Sequence, residues 1–208
     1  MRQAVVLIHG IWMNGWEMLY LRRRLQGCGF VCHRYHYQSL VQTPQVSAAR
    51  LAAFVKTIDA DIVHLVAHSM GGIVVLHLFE RDPQQKPGRV LMLGTPIKGS
   101  VVARRVHRFV VTRPLLGRSF RRGLLGDVPR WKGGRELGMI AGSRGIGIAA
   151  LVFGGLQRPN DGTVALSETQ SPAIDVHLTV PYSHVGMLFS SRVAQAVCRF
   201  LRDGDFFE

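Results

Sequence analysis

The sequence predicts an α/β protein with about six mostly parallel strands and helices covering both faces of the sheet. Short runs of β-branched and aliphatic residues alternate with longer amphipathic stretches, which is typical of parallel strands joined by helical crossovers. The apolar runs are continuous, as expected of strands buried on both faces. A chain of 208 residues is also long enough for a sizeable core and short for two domains. We therefore expect residues 1–208 to form a single domain.

The elements follow one another in a regular order. Ala4–Ile8 is interpreted as a buried strand, because this apolar run is shorter than the core of a signal peptide and no small-residue cleavage site follows it. Trp16–Leu25 has helical spacing, and Gly27 and Gly29 end the helix. The remaining strands are predicted at Phe30–Tyr37, Ile62–Val66, Arg89–Leu93 and Ile174–Val180, with Ile146–Phe153 resuming the alternation, and the remaining helices at Val46–Ile58, Met70–Phe79 and Ser191–Leu201.

Residues 99–145 break this alternation and are predicted to form a cap or lid inserted within the domain. From Lys98 to Arg144 there are twelve lysines and arginines and two acidic residues, which accounts for ten of the thirteen net positive charges of the chain. Such a surface attracts anionic lipid head groups or acidic substrates, although a solvated polar surface is the alternative. Nucleic acid is not expected as a partner, because no aromatic platform or helix-turn-helix pattern accompanies the arginines.

The three cysteines match neither a disulfide framework nor a zinc pattern. We expect Cys28 and Cys32 to pack as small buried hydrophobic residues in a protein of the reducing cytoplasm, with peripheral membrane association through the basic segment as an option. The longest apolar stretch, from Ile146 to Leu156, is too short to span a bilayer. No His, Cys and Asp cluster has ligand spacing, so no metal and no cofactor are expected.

A serine occupies a sharp turn between a predicted strand and a predicted helix. Ile62–Val66 is followed by Ala67-His68-Ser69-Met70-Gly71-Gly72, which opens the next helix. This layout is that of a nucleophile elbow, in which small residues flank the serine because the strand and helix backbones nearly touch. The amide of Met70, directly after Ser69, is then a candidate donor to an oxyanion.

An acidic turn and a late histidine follow the serine in the order Ser, Asp, His. Asp161 lies in a turn after the insertion, and His184 lies between the last strand and the last helix. Ser69, Asp161 and His184 each follow a strand, so all three are expected at the carboxyl edge of the sheet, where an imidazole could activate the serine. Asp175 is the alternative acid. His9 is expected to brace the loop after the first strand.

Five segments together resemble the lipase and esterase branch of the α/β-hydrolase superfamily. They are HGIW at 9–12, AHSMGG at 67–72, LMLGTPIKGS at 91–100, NDGTV at 160–164 and YSHVGM at 182–187. The resemblance implies the α/β-hydrolase fold, with the amides of Ile11 and Met70 forming the oxyanion hole. Two features depart from the common pattern. Ala67 replaces the first elbow glycine, and Ala4–Ile8 takes the place of the third strand of the full-length fold, as in the compact lipases.

These observations predict a cofactor-independent serine hydrolase that cleaves small-molecule or lipid carboxylic esters through an acyl-enzyme. The preference for esters over peptides follows from the resemblance and from apolar residues around the predicted site, not from a substrate-reading motif. Two alternatives stay open. The same residues could transfer the acyl group to an acceptor other than water. The chain could also be a membrane-surface binding protein with a vestigial site, against which the intact set of three residues argues.

Overall fold

A computed structural model describes residues 1–146 and 156–207 of the chain. Six strands form one sheet in the order β2-β1-β3-β4-β5-β6, and every neighbouring pair is parallel. The sheet confirms the predicted fold class. The strands are β1 Gln3–Ile8, β2 Val31–Tyr35, β3 Ile62–His68, β4 Val90–Leu93, β5 Leu137–Gly142 and β6 Val176–Val180.

Helices connect the strands, and their ends follow the local sequence. The α-helices are α1 Leu19–Gly27, α2 Pro44–Thr57, α3 Met70–Arg81, α4 Val101–Arg108 and α5 Ser191–Asp203. Helix α2 begins where the Thr43 hydroxyl accepts the amide of Val46, with Pro44 in the first turn, the favoured arrangement for a helix start. Helix α5 ends at Gly204, which adopts the left-handed conformation.

The two faces of the sheet carry separate apolar cores. Along β1, Val6 and Ile8 face the core formed with α2 and α3, whereas Val5 and Leu7 face the core formed with α1 and α5. Both sides of this strand are therefore buried, which explains why its sequence is continuously apolar. Each fully buried aliphatic side chain stabilises the fold by roughly 1.5–3 kcal/mol.

One predicted boundary is wrong, because the predicted insertion 99–145 contains a central strand. Residues 137–142 form β5 between β4 and β6. Gly138 leaves room for neighbouring side chains, since a Cβ there would lie 2.8 Å from the Phe200 ring and 2.9 Å from Leu91. Gly138 therefore serves close packing within the sheet and does not mark a turn. The continuation predicted at Ile146–Phe153 lies, from residue 147 onward, outside the described residues.

The expectation that Cys28 and Cys32 both pack as unbonded hydrophobic residues is wrong for Cys28. Cys28, at the end of α1, forms a disulfide with Cys198 of α5, with Cα atoms 6.4 Å apart, whereas Cys32 is free and buried as predicted. The bonded cysteines are 170 residues apart in the chain, so only the packing of α1 against α5 brings them together. Disulfides are characteristic of oxidising compartments. Among the described helices, none is long and apolar enough to cross a membrane.

Candidate active site

Ser69 occupies a strained turn between β3 and α3. Its φ of 53° and ψ of −122° lie in a region that residues other than glycine rarely adopt. The glycines that follow are required by close packing. A Cβ on Gly71 would lie 2.6 Å from the carbonyl oxygens of Ile8 and His9, and one on Gly72 would overlap the Thr95 side chain. These features are those of a nucleophile elbow.

A buried hydrogen bond joins the predicted acid to the predicted base. His184 Nδ1 lies 2.6 Å from Asp161 Oδ2, and both residues are buried. The other carboxylate oxygen, Oδ1, accepts the amides of Thr163 and Val164 at 2.9 and 2.7 Å. Because an ionised carboxylate can only accept hydrogen bonds, the His184 proton lies on Nδ1 and the lone pair is left on Nε2.

Ser69 and His184 line the same cavity, whose volume is about 440 Å³. That volume lies within the usual range for small-molecule sites, roughly 300–1,000 Å³. Most of the lining is apolar, and part of it comes from the insertion. The apolar lining residues are Ile11, Trp12, Pro96, Val102, Ala103, Val106, Leu116, Leu124, Ile146, Val164 and Val185. Val110 and Val111 of the insertion, in contrast, are exposed.

The resemblance implies an oxyanion hole formed by the amides of Ile11 and Met70, and both residues lie close to Ser69. Met70 is the first residue of α3, so its N–H has no acceptor within the helix. Ile11 lines the cavity next to Ser69. Gly10 allows the loop to approach, since a Cβ there would lie 3.2 Å from both Ser69 Cβ and His68 Nδ1. The loop after β1 therefore runs beside the serine.

His9 braces that loop, as the sequence predicts. Its Nδ1 donates to the Gly10 carbonyl at 2.8 Å, and its Nε2 accepts the Tyr37 amide at 3.3 Å. The Tyr37 hydroxyl donates in turn to the His9 carbonyl at 2.9 Å. Burial lowers the pKa of His9, which keeps the imidazole neutral and able to accept a hydrogen bond.

His68 takes part in the site in a way that the sequence does not reveal. Its Nε2 donates to the carbonyl oxygen of His184 at 3.1 Å, and the two rings lie 4.7 Å apart. Burial, with a smaller contribution from the nearby His184, lowers the pKa of His68 well below its ordinary value. The contact joins residues 116 positions apart, so no local pattern could indicate it.

The alternative acid lies at the opposite edge of the sheet. Asp175 Oδ2 accepts the amide of Leu137 at 2.7 Å, at the start of β5. His64 has structural partners, accepting the amide of Arg89 at 3.0 Å, and His77 lies 2.6 Å from the Arg122 carbonyl. Within residues 1–146 and 156–207, no group of three or more His, Cys, Asp or Glu side chains could hold a metal ion.

The outer surface of the insertion is basic and partly apolar. Helix α4 directs Val102, Ala103 and Val106 to the cavity, whereas Arg104 and Arg108 are exposed. The segment that follows α4 presents three apolar side chains to solvent, and their exposed fractions reach 90% at Val111. These three residues are Phe109, Val110 and Val111.

The parallel sheet and its helices form an α/β-hydrolase fold, and the family comparison agrees with it. The model of the alpha/beta hydrolase family matches residues 5–195, so the chain belongs to that family. No curated protein matches the chain. Similar solved structures include the mature Bacillus licheniformis lipase BlEst2, with 18% identity, a TM-score of 0.74, and coverage of 90% of this chain and 86% of that one.

Two further solved structures share the architecture. The bromoperoxidase from Bacillus anthracis is 14% identical, with a TM-score of 0.70 and coverage of 98% of this chain and 93% of that one. The metagenomic carboxyl esterase MGS0156 is 16% identical, with a TM-score of 0.64 and coverage of 88% and 64%. At such identities the likeness shows the fold alone.

Proposed function

We propose that this protein is a serine hydrolase that cleaves carboxylic esters through Ser69, His184 and Asp161. The observation that carries the proposal is the buried hydrogen bond between Asp161 and His184, in a cavity that Ser69 also lines. A serine hydroxyl becomes an effective nucleophile when an imidazole accepts its proton and a carboxylate holds that imidazole in the required tautomer. The lipase and esterase names among the similar structures agree with this class of substrate.

The reaction proceeds in two halves. Ser69 Oγ attacks the ester carbonyl carbon while His184 Nε2 takes the hydroxyl proton, and Asp161 stabilises the imidazolium. The amides of Ile11 and Met70 donate to the oxyanion of the tetrahedral intermediate. The intermediate collapses as the C–O bond to the alcohol breaks, and the alcohol leaves with the proton from His184. Water, deprotonated by His184, then attacks the acyl-enzyme, and the acid leaves as Ser69 regains its proton.

The cavity favours an ester with an apolar acyl group. Its polar lining residues are Ser69, Ser100, Thr163, Ser183 and His184, while the wall formed by α4, Leu116 and Leu124 is mostly aliphatic. Burial of each additional methylene against such a wall is worth about 0.8 kcal/mol. Transfer of the acyl group to an acceptor other than water would use the same residues, and no feature of the cavity favours it over hydrolysis.

The part of the insertion outside the sheet, residues 99–136, acts in this proposal as a cationic lid. Its inner side contributes apolar residues to the cavity, and its outer side carries arginines beside the exposed segment Phe109–Val111. An anionic lipid surface is the partner that this combination of charge and apolar side chains would attract. Substrate esters held in such a surface would then lie next to the mouth of the cavity.

Hydrolysis of p-nitrophenyl esters from acetate to palmitate tests the proposal. The wild-type protein should release p-nitrophenol, and Ser69→Ala should remove the activity. Ser191→Ala provides the matched control, because that serine is exposed at the start of α5 and should turn over like the wild type. Turnover that persists in Ser69→Ala would overturn the assignment of the nucleophile.

A further inference from the structure

A buried carboxylate outside the three proposed catalytic residues joins two parts of the cavity wall. Glu168 is only 6% exposed. Its Oε2 accepts the amide of Ala165 at 2.8 Å, and its Oε1 accepts the amide of Val101 at 2.5 Å. Its own carbonyl oxygen accepts the amide of Lys98 at 3.2 Å. One side chain therefore bonds to the backbone of two segments that are more than sixty residues apart in the chain.

The first of these segments is the loop that holds Asp161. Ala165 directly follows Val164, whose amide binds Asp161 Oδ1, and an antiparallel bridge between Asn160 and Ala165 closes the loop. Glu168 lies in the third position of a short 3₁₀ turn and accepts the amide of the residue that caps it, which is half of a capping box. The carboxylate thereby fixes the end of the acid loop.

The second segment is the first turn of α4. Val101 is the first residue of that helix, so its N–H has no partner within it. The Ser100 hydroxyl accepts the amide of Ala103 at 3.2 Å, and Glu168 satisfies the amide of Val101. A negative charge at this end is also favoured by the helix dipole. Since Val102, Ala103 and Val106 line the cavity, the start of α4 determines where that wall lies.

The carboxylate of Glu168 is desolvated, and its partners are backbone amides. Burial raises the pKa of Glu168, while the amides of Ala165 and Val101 and the charge of Arg104 oppose the rise and Asp161 adds to it. A carboxyl group with a raised pKa in the folded state favours folding at low pH, and this contribution is lost as pH rises through that pKa. The bonds to the amides of Ala165 and Val101 fix the position of this buried carboxylate.

We propose that Glu168 is a positioning residue that sets acyl-chain selectivity, by tying the loop that carries Asp161 to the first turn of α4. The inference rests on the proposed ester hydrolysis. An acyl chain long enough to contact Val102 and Val106 needs that wall in place, whereas an acetyl group remains beside Ser69. Without the tie, α4 is free to move away from the cavity, and long-chain esters lose contacts that short-chain esters never make.

Two variants break the tie from opposite sides. Glu168→Gln replaces one acceptor oxygen by a donor. Val101→Pro removes the amide that Glu168 accepts, at a helix position where proline is favoured, and Ser100 already has the extended conformation that a following proline requires. Each should lower the ratio of kcat/KM for p-nitrophenyl octanoate to that for acetate by about tenfold, the size expected for one lost charge-assisted hydrogen bond. The double variant should lower the ratio no further.

Glu136→Gln is the matched control, because Glu136 pairs with Arg89 at the other edge of the sheet; its ratio should equal that of the wild type. An unchanged ratio in Glu168→Gln and Val101→Pro, or an equal fall in Glu136→Gln, would overturn the inference. The rate of tryptic cleavage after Arg104 reports how firmly Glu168 holds α4, and this measurement does not depend on ester hydrolysis. Cleavage should be faster in both variants, and equal cleavage would also overturn the inference. Absence of ester turnover in the wild type would instead defeat the proposed function.

Discussion

The two edges of the sheet each hold a buried histidine and a hydrogen-bonded aspartate, and they differ in what those groups leave available. At the amino edge, His64 Nδ1 accepts the amide of Arg89, and Nε2 lies 3.2 Å from the Gln3 side-chain oxygen. At the carboxyl edge, His184 Nδ1 binds Asp161, and the residue lines a cavity together with Ser69. A histidine with both nitrogens engaged holds structure, whereas one with a nitrogen left over can transfer protons.

The aspartates differ in the same way. Asp175 uses a carboxylate oxygen to fix the start of β5, through the amide of Leu137. Asp161 satisfies Thr163 and Val164 with one oxygen and presents the other to His184. The composition of the two edges is therefore similar, and the partners of each side chain distinguish the structural edge from the proposed catalytic edge.

Replacing each aspartate separately by asparagine should give the largest difference in turnover between the two edges. Asp161→Asn should lower kcat for ester hydrolysis by about 10⁴-fold, because the amide no longer selects the required tautomer of His184. Asp175→Asn should change the free energy of unfolding and leave turnover per folded molecule near that of the wild type. Steady-state kinetics of both variants check this, and a large loss in Asp175→Asn alone would reassign the acid.

The disulfide joins α1 to α5 outside the cavity that Ser69 lines, so its removal should affect stability only. The double variant Cys28→Ser/Cys198→Ser should lose about 4 kcal/mol of unfolding free energy, because the bond closes a very long loop. Urea unfolding measures the loss, and kcat per folded molecule should not change. Titration of the unreduced, denatured protein should find the single thiol of Cys32. Reaction of all three cysteines would contradict the bond.

His64 should make the amino edge sensitive to acid. Burial, aided by the charges of Arg89 and Arg135, lowers the pKa of His64 to about 4. In the unfolded chain the imidazole of His64 takes up a proton near pH 6.5, whereas in the folded protein it stays neutral until about pH 4. The contribution of His64 to stability is therefore present above pH 6.5 and is lost as the pH falls toward 4. The loss amounts to about 3 kcal/mol.

Denaturant unfolding between pH 7 and 4 measures this effect in the wild type and in His64→Gln. The variant should lose less stability on acidification than the wild type. Some loss should remain, because burial also lowers the pKa values of His68 and His77. Identical pH dependence in the two proteins would show that His64 does not carry the acid sensitivity.

The smallest expected effect concerns the surface beside the carboxyl edge. Arg108→Glu/Arg113→Glu should weaken binding to anionic vesicles by at least about 2 kcal/mol, at roughly 1 kcal/mol for each basic residue near the membrane. Arg23→Glu/Arg24→Glu makes the same change of charge on α1, where the exposed arginines lie outside the insertion. Co-sedimentation at low and high salt checks this, since screening should weaken the binding. Equal effects of the two pairs, or equal binding to zwitterionic vesicles, would favour a merely solvated surface.

Local sequence was sufficient to predict that Ser69, Asp161 and His184 come together at the carboxyl edge. The elbow at Ser69 follows from small residues between a strand and a helix, and Asp161 and His184 follow strands, so parallel topology brings them to one edge. Prediction failed where distant segments pack together. At Gly138 in β5 the nearby Phe200 ring leaves no room for a side chain, and Cys28 is bonded because α1 meets α5.

Glu168 and His68 belong to the same group of omissions. Each bonds to the backbone of a segment far away in the chain, Val101 in one case and His184 in the other. Neither contact leaves a trace in the spacing of nearby residues. The sequence contains one local signal for Glu168. It stands three positions after Ala165, and an acidic residue at that spacing is common in capped turns.

Labelling with a fluorophosphonate probe, read by intact mass and peptide mapping, tests the difference between the two edges most directly. The wild type and His64→Gln should each gain one probe, on the peptide that contains Ser69, because His64 holds structure only. His184→Ala should remain unlabelled, because the serine then lacks its base. Labelling of His184→Ala at the wild-type rate, or attachment of the probe at a residue other than Ser69, would contradict the account.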